Sequence, residues 1–546
     1  MKTFSIQTLG CKVNHYESEQ IATLLRSRGL TQTDPPQAEL RVVNTCSITT
    51  AAASQSRQSV RRVTRLPMFN DQAFNDRPLD DRPAQTVENF TGFNPSTKTN
   101  LPNHGRRSRV LVTGCWATSD RDKAQSIPGV DAVLGHHDDV AAELNRLLAA
   151  WDTQDQRSAG ELAGTQEQLP GPDALDENNN GWMLQAGTSA SQLTSDIKTS
   201  AALHVNRNFV EIATSCNDLP KSSGTFSLPQ LDGRQAHRQR AVLKVQDGCD
   251  AHCTYCIIPT LRPNLWSKPT EQVVEEARSL VAAGHHEIVL TGIFLGAYGQ
   301  TTALRRRQPK EAAKPIGRLV SALCDGVPGL RRLRLSSLEP GDLSAELIDV
   351  FRSHPQIVPH FHLPLQSGSD LILRRMNRQY TRGDFLEMVD RLGSAFDRPA
   401  LTTDIVVGFP GEDDAEFEHT ADVVRQAGFI HVHAFPYSPR PGTAAARWTD
   451  QFIYGPIIQE RIEQLTQMAD DNSLRFRQSF IGETVEVIVE RDHPRGERAD
   501  SGGTLRHGRC ERYFDVCFDD ETAMPGDARA VCVTRVSGAC TLGMAK

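Results

Sequence analysis

The chain has 546 residues, a net charge of −7, 38% hydrophobic residues and twelve cysteines. That length allows about three or four domains. The negative balance excludes a globally electrostatic grip on nucleic acid and leaves any such contact to local basic patches. Twelve cysteines over this length are too few for a disulfide scaffold, so metal ligation in a reducing cytoplasm is expected. The opening MKTFSIQTLGCKVN lacks a signal-peptide core. No apolar run approaches the ~20 residues of a membrane span, and no membrane partner is expected.

In chain order, residues 2–9 alternate as a strand and end at Gly10-Cys11, and a helix over 16–28 closes at Gly29. A strand at 39–43 ends in Asn44-Thr45-Cys46, and a helix over 50–66 carries Arg57, Arg61, Arg62 and Arg65. A third strand, 109–112, ends in Gly114-Cys115, and 132–134 with 140–151 read as one more strand and helix. This alternation predicts a parallel α/β domain over residues 1–150. Three strands are each followed within two or three residues by one cysteine. The carboxyl ends of parallel strands share one edge, so Cys11, Cys46 and Cys115 are expected to converge as a three-thiolate site. A lone cysteine there would instead be a small buried residue. Residues 67–108 and 151–239 are rich in Asn, Pro, Thr, Gln, Ser and Gly and read as disordered or loosely ordered insertions. Cys216 falls in the second and is not expected to be a ligand, while Arg106, Arg107 and Arg109 flank the third strand with positive charge.

The stretch QDGCDAHCTYCIIP places Cys249, Cys253 and Cys256 as C-x3-C-x2-C directly after the apolar run 241–245. Soft thiolates select iron–sulfur clusters or zinc. Zinc sites usually add a fourth Cys or His at compatible spacing, and His252 is poorly placed for that. Three thiolates hold three irons of a [4Fe–4S] cube and leave the fourth iron open to a small molecule. Strands at 242–246, 287–290, 332–336, 360–364, 401–407 and 431–435 alternate with helices at 271–283, 316–324, 344–353, 370–376 with 382–394, and 414–427. Six units are too few for a closed eightfold barrel, so an open six-stranded (β/α) partial barrel is predicted over 240–478, with its site at the carboxyl ends of the strands. Those ends carry Gly292, Ser337, Glu339 and Gln366, candidates for holding a polar, charged cofactor through close backbone approach and hydrogen bonds.

Residues 479–546 read as a small β-barrel with strands at 484–490, 513–518 and 528–536, and with Gly482, Gly508, Gly526 and Gly538 between them. Nine Lys and Arg against twelve Asp and Glu there give no electrostatic hold on phosphate. Arg305–Arg307, Lys310 and Lys314, or Arg57, Arg61 and Arg62, are better patches. Tyr513 and Phe514 are candidates for base stacking or for core. Cys510, Cys517, Cys532 and Cys540 are poorly spaced for zinc and read as structural thiols.

The cysteine loop at the start of a partial barrel resembles the radical S-adenosylmethionine enzymes. With TLGCKVNHYES, NTCSIT, VTGCWA, LPLQSGSD and DIVVGFPGE, the chain closely resembles the methylthiotransferases over residues 1–64, 109–150 and 241–546. The resemblance implies that the open iron binds S-adenosylmethionine, whose cleavage yields a 5′-deoxyadenosyl radical. Such a radical suits an aromatic C–H with no acidic proton. It implies a second [4Fe–4S] cluster on Cys11, Cys46 and Cys115 that carries or donates the inserted sulfur. It also implies two S-adenosylmethionine molecules per product and a flavodoxin- or ferredoxin-type electron donor. GCKVN followed by His-Tyr-Glu-Ser looks most like the subfamily acting at C2 of N6-threonylcarbamoyladenosine beside the anticodon of tRNA. Relatives act on isopentenyladenosine or on a ribosomal-protein aspartate, and a non-catalytic iron–sulfur RNA-binding protein is the rival class. The C-terminal segment resembles the TRAM domain, which binds RNA. Two departures stand out: Pro263 follows Arg262 where the family commonly has Arg-Gly, and Trp266 and Lys268 occupy a stretch usually richer in Arg and Ser.

Overall fold

Short apolar runs separated by helices build a parallel sheet from the first part of the chain. The computed structural model describes residues 1–67, 108–164, 228–231, 239–307, 315–492, 505–538 and 540–546. Its contacts divide the chain into two compact units, Met1–Asn145 with Ser227–Lys546, and Arg146–Phe226. The sheets and both cysteine sites belong to the first. Strands β1 (Thr3–Thr8), β2 (Thr31–Gln32), β3 (Leu40–Thr45), β4 (Arg109–Gly114) and β5 (Ala132–Leu134) lie in the order β2-β1-β3-β4-β5, every pairing parallel. The central strand β3 is buried along its whole length, as parallel strands covered on both faces are. The helix after β1 starts at Lys12, earlier than its apolar spacing predicted, which makes Cys11 its N-cap residue. The helix predicted over 140–151 runs Val140–Gly164.

The middle of the chain forms two ladders, β7-β6-β8-β9 and β10-β11-β12. They comprise β6 (Arg240–Asp247), β7 (Trp266–Ser267), β8 (Glu287–Gly292), β9 (Arg332–Leu335), β10 (His360–His362), β11 (Ala400–Val407) and β12 (His431–Pro436). Single bridges, Leu333↔Ile357 and Ser337↔His362, carry the parallel order from one ladder to the next. The result is the six-stranded open barrel expected, with the short antiparallel β7 added at one edge. Apolar faces of the helices Thr270–Ala282, Pro315–Gly326, Ala345–Ser353, Arg382–Ala395 and Asp414–Ala427 join the strands in one core. Tyr16 of the first helix enters that core. Its hydroxyl donates to Glu276 Oε1 at 2.6 Å and accepts from Lys268 Nζ at 2.8 Å, which docks the first sheet on the barrel. Lys268 therefore has a structural partner.

The C-terminal segment closes as a five-stranded barrel, β13-β14-β15-β17-β16. Its strands are β13 (Thr484–Asp492), β14 (Leu505–Cys510), β15 (Asp515–Asp519), β16 (Ala528–Val536) and β17 (Thr541–Ala545). Two expectations are corrected here. Gly508 lies inside β14 rather than in a turn, because a Cβ there would collide with the carbonyl of Ile488 on β13. The strand predicted from 513 starts at Asp515, since Tyr513 takes a left-handed turn conformation with φ 72°. Phe514, Cys510 and Cys517 are buried in the barrel. Among the described residues no helix is long and apolar enough to cross a membrane.

Candidate cluster sites

Register brings the first three cysteines together. Thr8 pairs with Asn44 and Asn44 with Thr113. Cys46 and Cys115 thus stand two residues beyond one line across the sheet, and Cys11 three. Each chain turns sharply there. Gly10 has φ 105°, and a Cβ on it would lie 2.8 Å from Cys46 Cβ and 3.0 Å from Asn14 Nδ2. Gly114 has φ 93° and ψ −163°, a region open essentially to glycine, and a Cβ would strike Asn44 Oδ1 and the carbonyl of Thr45. Asn14 sits at the centre. Its Nδ2 donates to the carbonyls of Leu9 and Thr45, both at 2.9 Å, and its Oδ1 lies 3.8 Å from Cys11 Sγ and 3.9 Å from Cys115 Sγ. Ser56 Oγ clamps the backbone of Cys46, accepting from its N–H at 3.0 Å and donating to its carbonyl at 2.8 Å. Burial pushes the Cys115 thiol up to about 12 and raises that of Cys46.

The second site is a single loop pinned from outside. Cys249 N–H donates to the carbonyl of Arg262 at 3.0 Å, Thr254 N–H to that of Met376 at 3.1 Å, and Ala445 N–H to that of Thr254 at 2.9 Å. Asp250 accepts from Thr302 Oγ1 and Ala303 N–H, both at 2.6 Å. Tyr255 stacks edge-on against Phe409 at 6.2 Å between centroids, so the strand end carrying GFPGE supports the loop from below. The sulfurs receive donors: Ala251 N–H to Cys249 at 3.4 Å and Arg378 Nη1 to Cys253 at 3.3 Å. Burial pushes Cys249 and Cys256 up to about 12. Desolvated thiols of this kind become thiolates when a metal supplies the positive charge. Three soft donors on one loop fit three irons of a cube. Among the described residues no three His, Cys, Asp or Glu side chains stand close enough to share one ion.

The four cofactor candidates sit around this loop in different ways. Glu339 is gripped by Arg305 Nη1 at 2.9 Å and by Arg378, so it joins Cys253 through one shared arginine. Burial opposes its charge, but Arg378 and Arg305 together hold it below the usual carboxylate value. Gly292 packs on Gln246, where a Cβ would approach Oε1 to 2.9 Å. Gln246 in turn donates to the carbonyl of Gly248 at 2.8 Å at the loop's base. Ser337 bridges to His362, and Gln366, with φ 61°, pairs with Ile405 of β11. Arg305 is spent on Glu339 and Asp342, which removes it from the basic patch expected there, while Arg307 is exposed. Arg106, Arg107, Lys310, Lys314, the Arg306 side chain and Cys216 lie outside the described residues.

A buried charge network joins the two sites. Lys244, 1% exposed in the middle of β6, donates to Glu17 Oε1 at 2.7 Å and Asp247 Oδ2 at 2.6 Å. Arg262 adds Nη1 to Glu17 at 2.7 Å and to Asp247 at 2.9 Å, and its Nη2 lies 2.9 Å from His136 Nε2. Burial works against the Glu17 carboxylate, but Arg262 and Lys244 outweigh it and hold it well below the usual range. Two cations thus balance two anions, the condition under which buried charges are tolerated. Cys115 packs on Ile257 and Leu261, immediately after the cysteine loop. Arg262, flagged above for its neighbour Pro263, is therefore the hinge pin between the two sites. Beside them, a cavity of about 770 Å³ opens inside the barrel, walled by inward residues of β9 to β12 and reaching Gly10, Cys11 and Lys12.

Sequence motifs contained Asn14 and Glu17 and singled out Arg262 without giving them a role, and left Arg378, His136 and the histidines of β10 and β12 unmarked. Lys244 carries a signal of its own, a lone charge inside an apolar strand. Residues 243–424 match the model of the Radical SAM superfamily, and residues 3–73 that of Uncharacterized protein family UPF0004. The chain is 31% identical over 527 residues to the threonylcarbamoyladenosine tRNA methylthiotransferase MtaB of Bacillus subtilis, covering 96% of this chain and 92% of the relative. The protein of that name from Thermotoga maritima is 30% identical over 491 residues, covering 90% and 87%. A tRNA-2-methylthio-N(6)-dimethylallyladenosine synthase of Parafrankia sp. is 30% identical over 543 residues, covering 98% and 88%. With a cysteine loop at the first strand end of an open barrel and such relatives along nearly its whole length, the chain belongs to the radical S-adenosylmethionine methylthiotransferases.

Proposed function

We propose that the enzyme inserts a methylthio group at C2 of N6-threonylcarbamoyladenosine beside the anticodon of tRNA, using a cluster on Cys249, Cys253 and Cys256 and a second on Cys11, Cys46 and Cys115. The observation that carries the two-cluster reading is the convergence of the last three thiols around Asn14. The GCKVN-His-Tyr-Glu-Ser run and the MtaB relatives support the threonylcarbamoyl substrate. The loop cluster, when bound, supplies one-electron cleavage of S-adenosylmethionine. The chain's own residues do the rest. Arg378 donates to Cys253 and ties Glu339 to the loop, which with Gly292, Ser337 and Gln366 lines the strand ends where the cofactor is held. Tyr255 packs edge-on against Phe409 and so supports the loop from the strand end of β11. Lys244, Glu17, Asp247 and Arg262 fix the first sheet against the loop, and the barrel cavity beside Cys11 receives the base. Residues 1–150 act as the sulfur-cluster domain, 240–478 as the radical barrel and 479–546 as a TRAM-like RNA-binding barrel. Residues 151–239 are an insertion between them, and a flavodoxin- or ferredoxin-type protein supplies the electrons.

Two variants test the division of labour. Cys253→Ala abolishes 5′-deoxyadenosine formation. Cys46→Ala keeps some of it and yields no methylthiolated nucleoside, and sulfur insertion by that variant sinks the two-cluster scheme. Mass spectrometry of tRNA nucleosides from cells lacking the gene decides the substrate. Loss of the methylthio group from threonylcarbamoyladenosine is expected. Loss from isopentenyladenosine, the substrate class named for the Parafrankia relative, or an altered ribosomal protein with unchanged tRNA, overturns it.

A further inference from the structure

We propose that Lys12 reads the N6 side chain of the substrate base by pairing its ammonium with a carboxylate carried there, an inference that rests on the threonylcarbamoyl reading above. The barrel cavity, about 770 Å³, is within the size range that encloses a small ligand. Gly10, Cys11 and Lys12 form part of its wall, so a base seated inside lies against Cys11 and its chain neighbour at once. The other cavity cations are committed. Arg334 donates to Glu287 at 2.6 Å and to the carbonyls of Glu511 and Cys510. Arg240 pairs with Glu490 at 3.2 Å and lies over the Tyr513 ring. Lys12 has neither an ion pair nor a hydrogen bond among the described residues. The groups facing it across the cavity are Tyr513, Asp404, Arg240 and Arg334, with His360 and His433. Of these, the one carboxylate, Asp404, already lies 3.2 Å from His362 Nε2.

Lys12 stands exposed on the cavity wall, and an uncommitted ammonium there favours an anion. In an N6-substituted adenine, C2 and C6, the carbon that bears the N6 side chain, flank the same ring nitrogen. Consecutive residues at the cavity wall can therefore address the atom to be modified and the side chain beside it. A threonylcarbamoyl group carries one charge, its carboxylate, whereas an isopentenyl group carries none. Lys12 is then a specificity-determining residue: it favours the acidic side chain and gains no pairing from an apolar one. A backbone phosphate offers the same anionic chemistry, and the test separates the two sources.

Binding of the full chain, with its clusters reconstituted, is measured on synthetic anticodon stem-loops. One carries the threonylcarbamoyl group, one its carboxamide analogue with the charge removed, and one the isopentenyl group. Lys12→Met is expected to weaken binding of the acidic loop by about tenfold to a hundredfold and to leave the carboxamide loop unchanged. Lys12→Arg is expected to keep most of the acidic-loop affinity, which separates loss of charge from loss of fold. Equal weakening on acidic and carboxamide loops assigns Lys12 to phosphate and overturns the proposal. So does a Lys12→Met variant that still prefers the acidic loop as the unaltered chain does. An unaltered chain that prefers the isopentenyl loop overturns the substrate reading as well, so the two failures are distinguishable.

Discussion

The two cysteine sites reach the same donor set by opposite routes. Cys249, Cys253 and Cys256 are neighbours in the chain, so their spacing survives loss of the fold and distant groups only orient them, through Arg262, Met376 and Arg378. Cys11, Cys46 and Cys115 are neighbours only while β1, β3 and β4 hold their register. The loop can therefore bind metal before folding is complete, whereas metal at the sheet edge draws on the stability of the whole sheet. A methylthiotransferase built this way has one site robust to local damage and one that fails whenever the sheet edge shifts.

The largest test of that contrast is Gly114→Ala. The added Cβ meets Asn44 Oδ1 and the Thr45 carbonyl in a conformation that L residues rarely adopt, a cost of about 4 kcal/mol. Chemical denaturation is expected to show that loss. Iron analysis with EPR is expected to show roughly half the iron gone and the loop cluster retained, while equal loss at both sites ends the claim of independence. Arg378→Met probes the other side. It strips the donor from Cys253 and leaves buried Glu339 with Arg305 alone, for about 3 kcal/mol. The loop cluster's EPR signal and 5′-deoxyadenosine formation should change while the sheet-edge cluster keeps its iron. Asn14→Ala removes the two hydrogen bonds holding Leu9 and Thr45, leaving both carbonyls partly unsatisfied, for about 2 kcal/mol. Its iron loss is expected at the sheet edge, and a variant with full iron there shows that register alone suffices.

The placement of the six cysteines was legible because three follow strand ends, where apolar runs stop at Gly10, Asn44 and Gly114, and three share one compact loop. What orients them was not. Arg378 comes just after a short helix with no periodic signal, and it matters only because Cys253 and Glu339 are brought to it. Lys244 interrupts the run AVLKV, and a charge in a buried strand demands a partner. Naming Glu17 required knowing that the first helix docks on β6. In the C-terminal barrel β14 escaped because Gly508 read as lying between strands, and β17, which contains Gly543, was not read as a strand. Both are glycine because the adjacent strand leaves no room for a side chain. The same physical fact, close backbone approach, marks a turn at Gly114 and a strand interior at Gly508, and local sequence does not distinguish them.

The smallest effect lies at the junction of the two sites and depends on pH. His136 accepts or shares a hydrogen bond with Arg262 Nη2 at 2.9 Å. Burial first, and then the Arg262 charge, push its pKa down to about 3 from an ordinary 6.5. The unfolded chain therefore takes up a proton near pH 6.5 that the folded chain refuses. The stability contributed by neutral His136 is complete above that pH and declines as pH falls toward about 3. One pH unit below 6.5 the loss is at most about 1.4 kcal/mol, and less to the extent that His136, which is only half-buried, stays hydrated. His136→Gln keeps a neutral acceptor and removes the titration. Denaturation midpoints at pH 7.5 and 5.5 should differ less for the variant than for the unaltered chain, by about that amount. Identical differences would mean that Arg262 holds its place by Glu17 and Asp247 alone, and that the junction is insensitive to acid in this range.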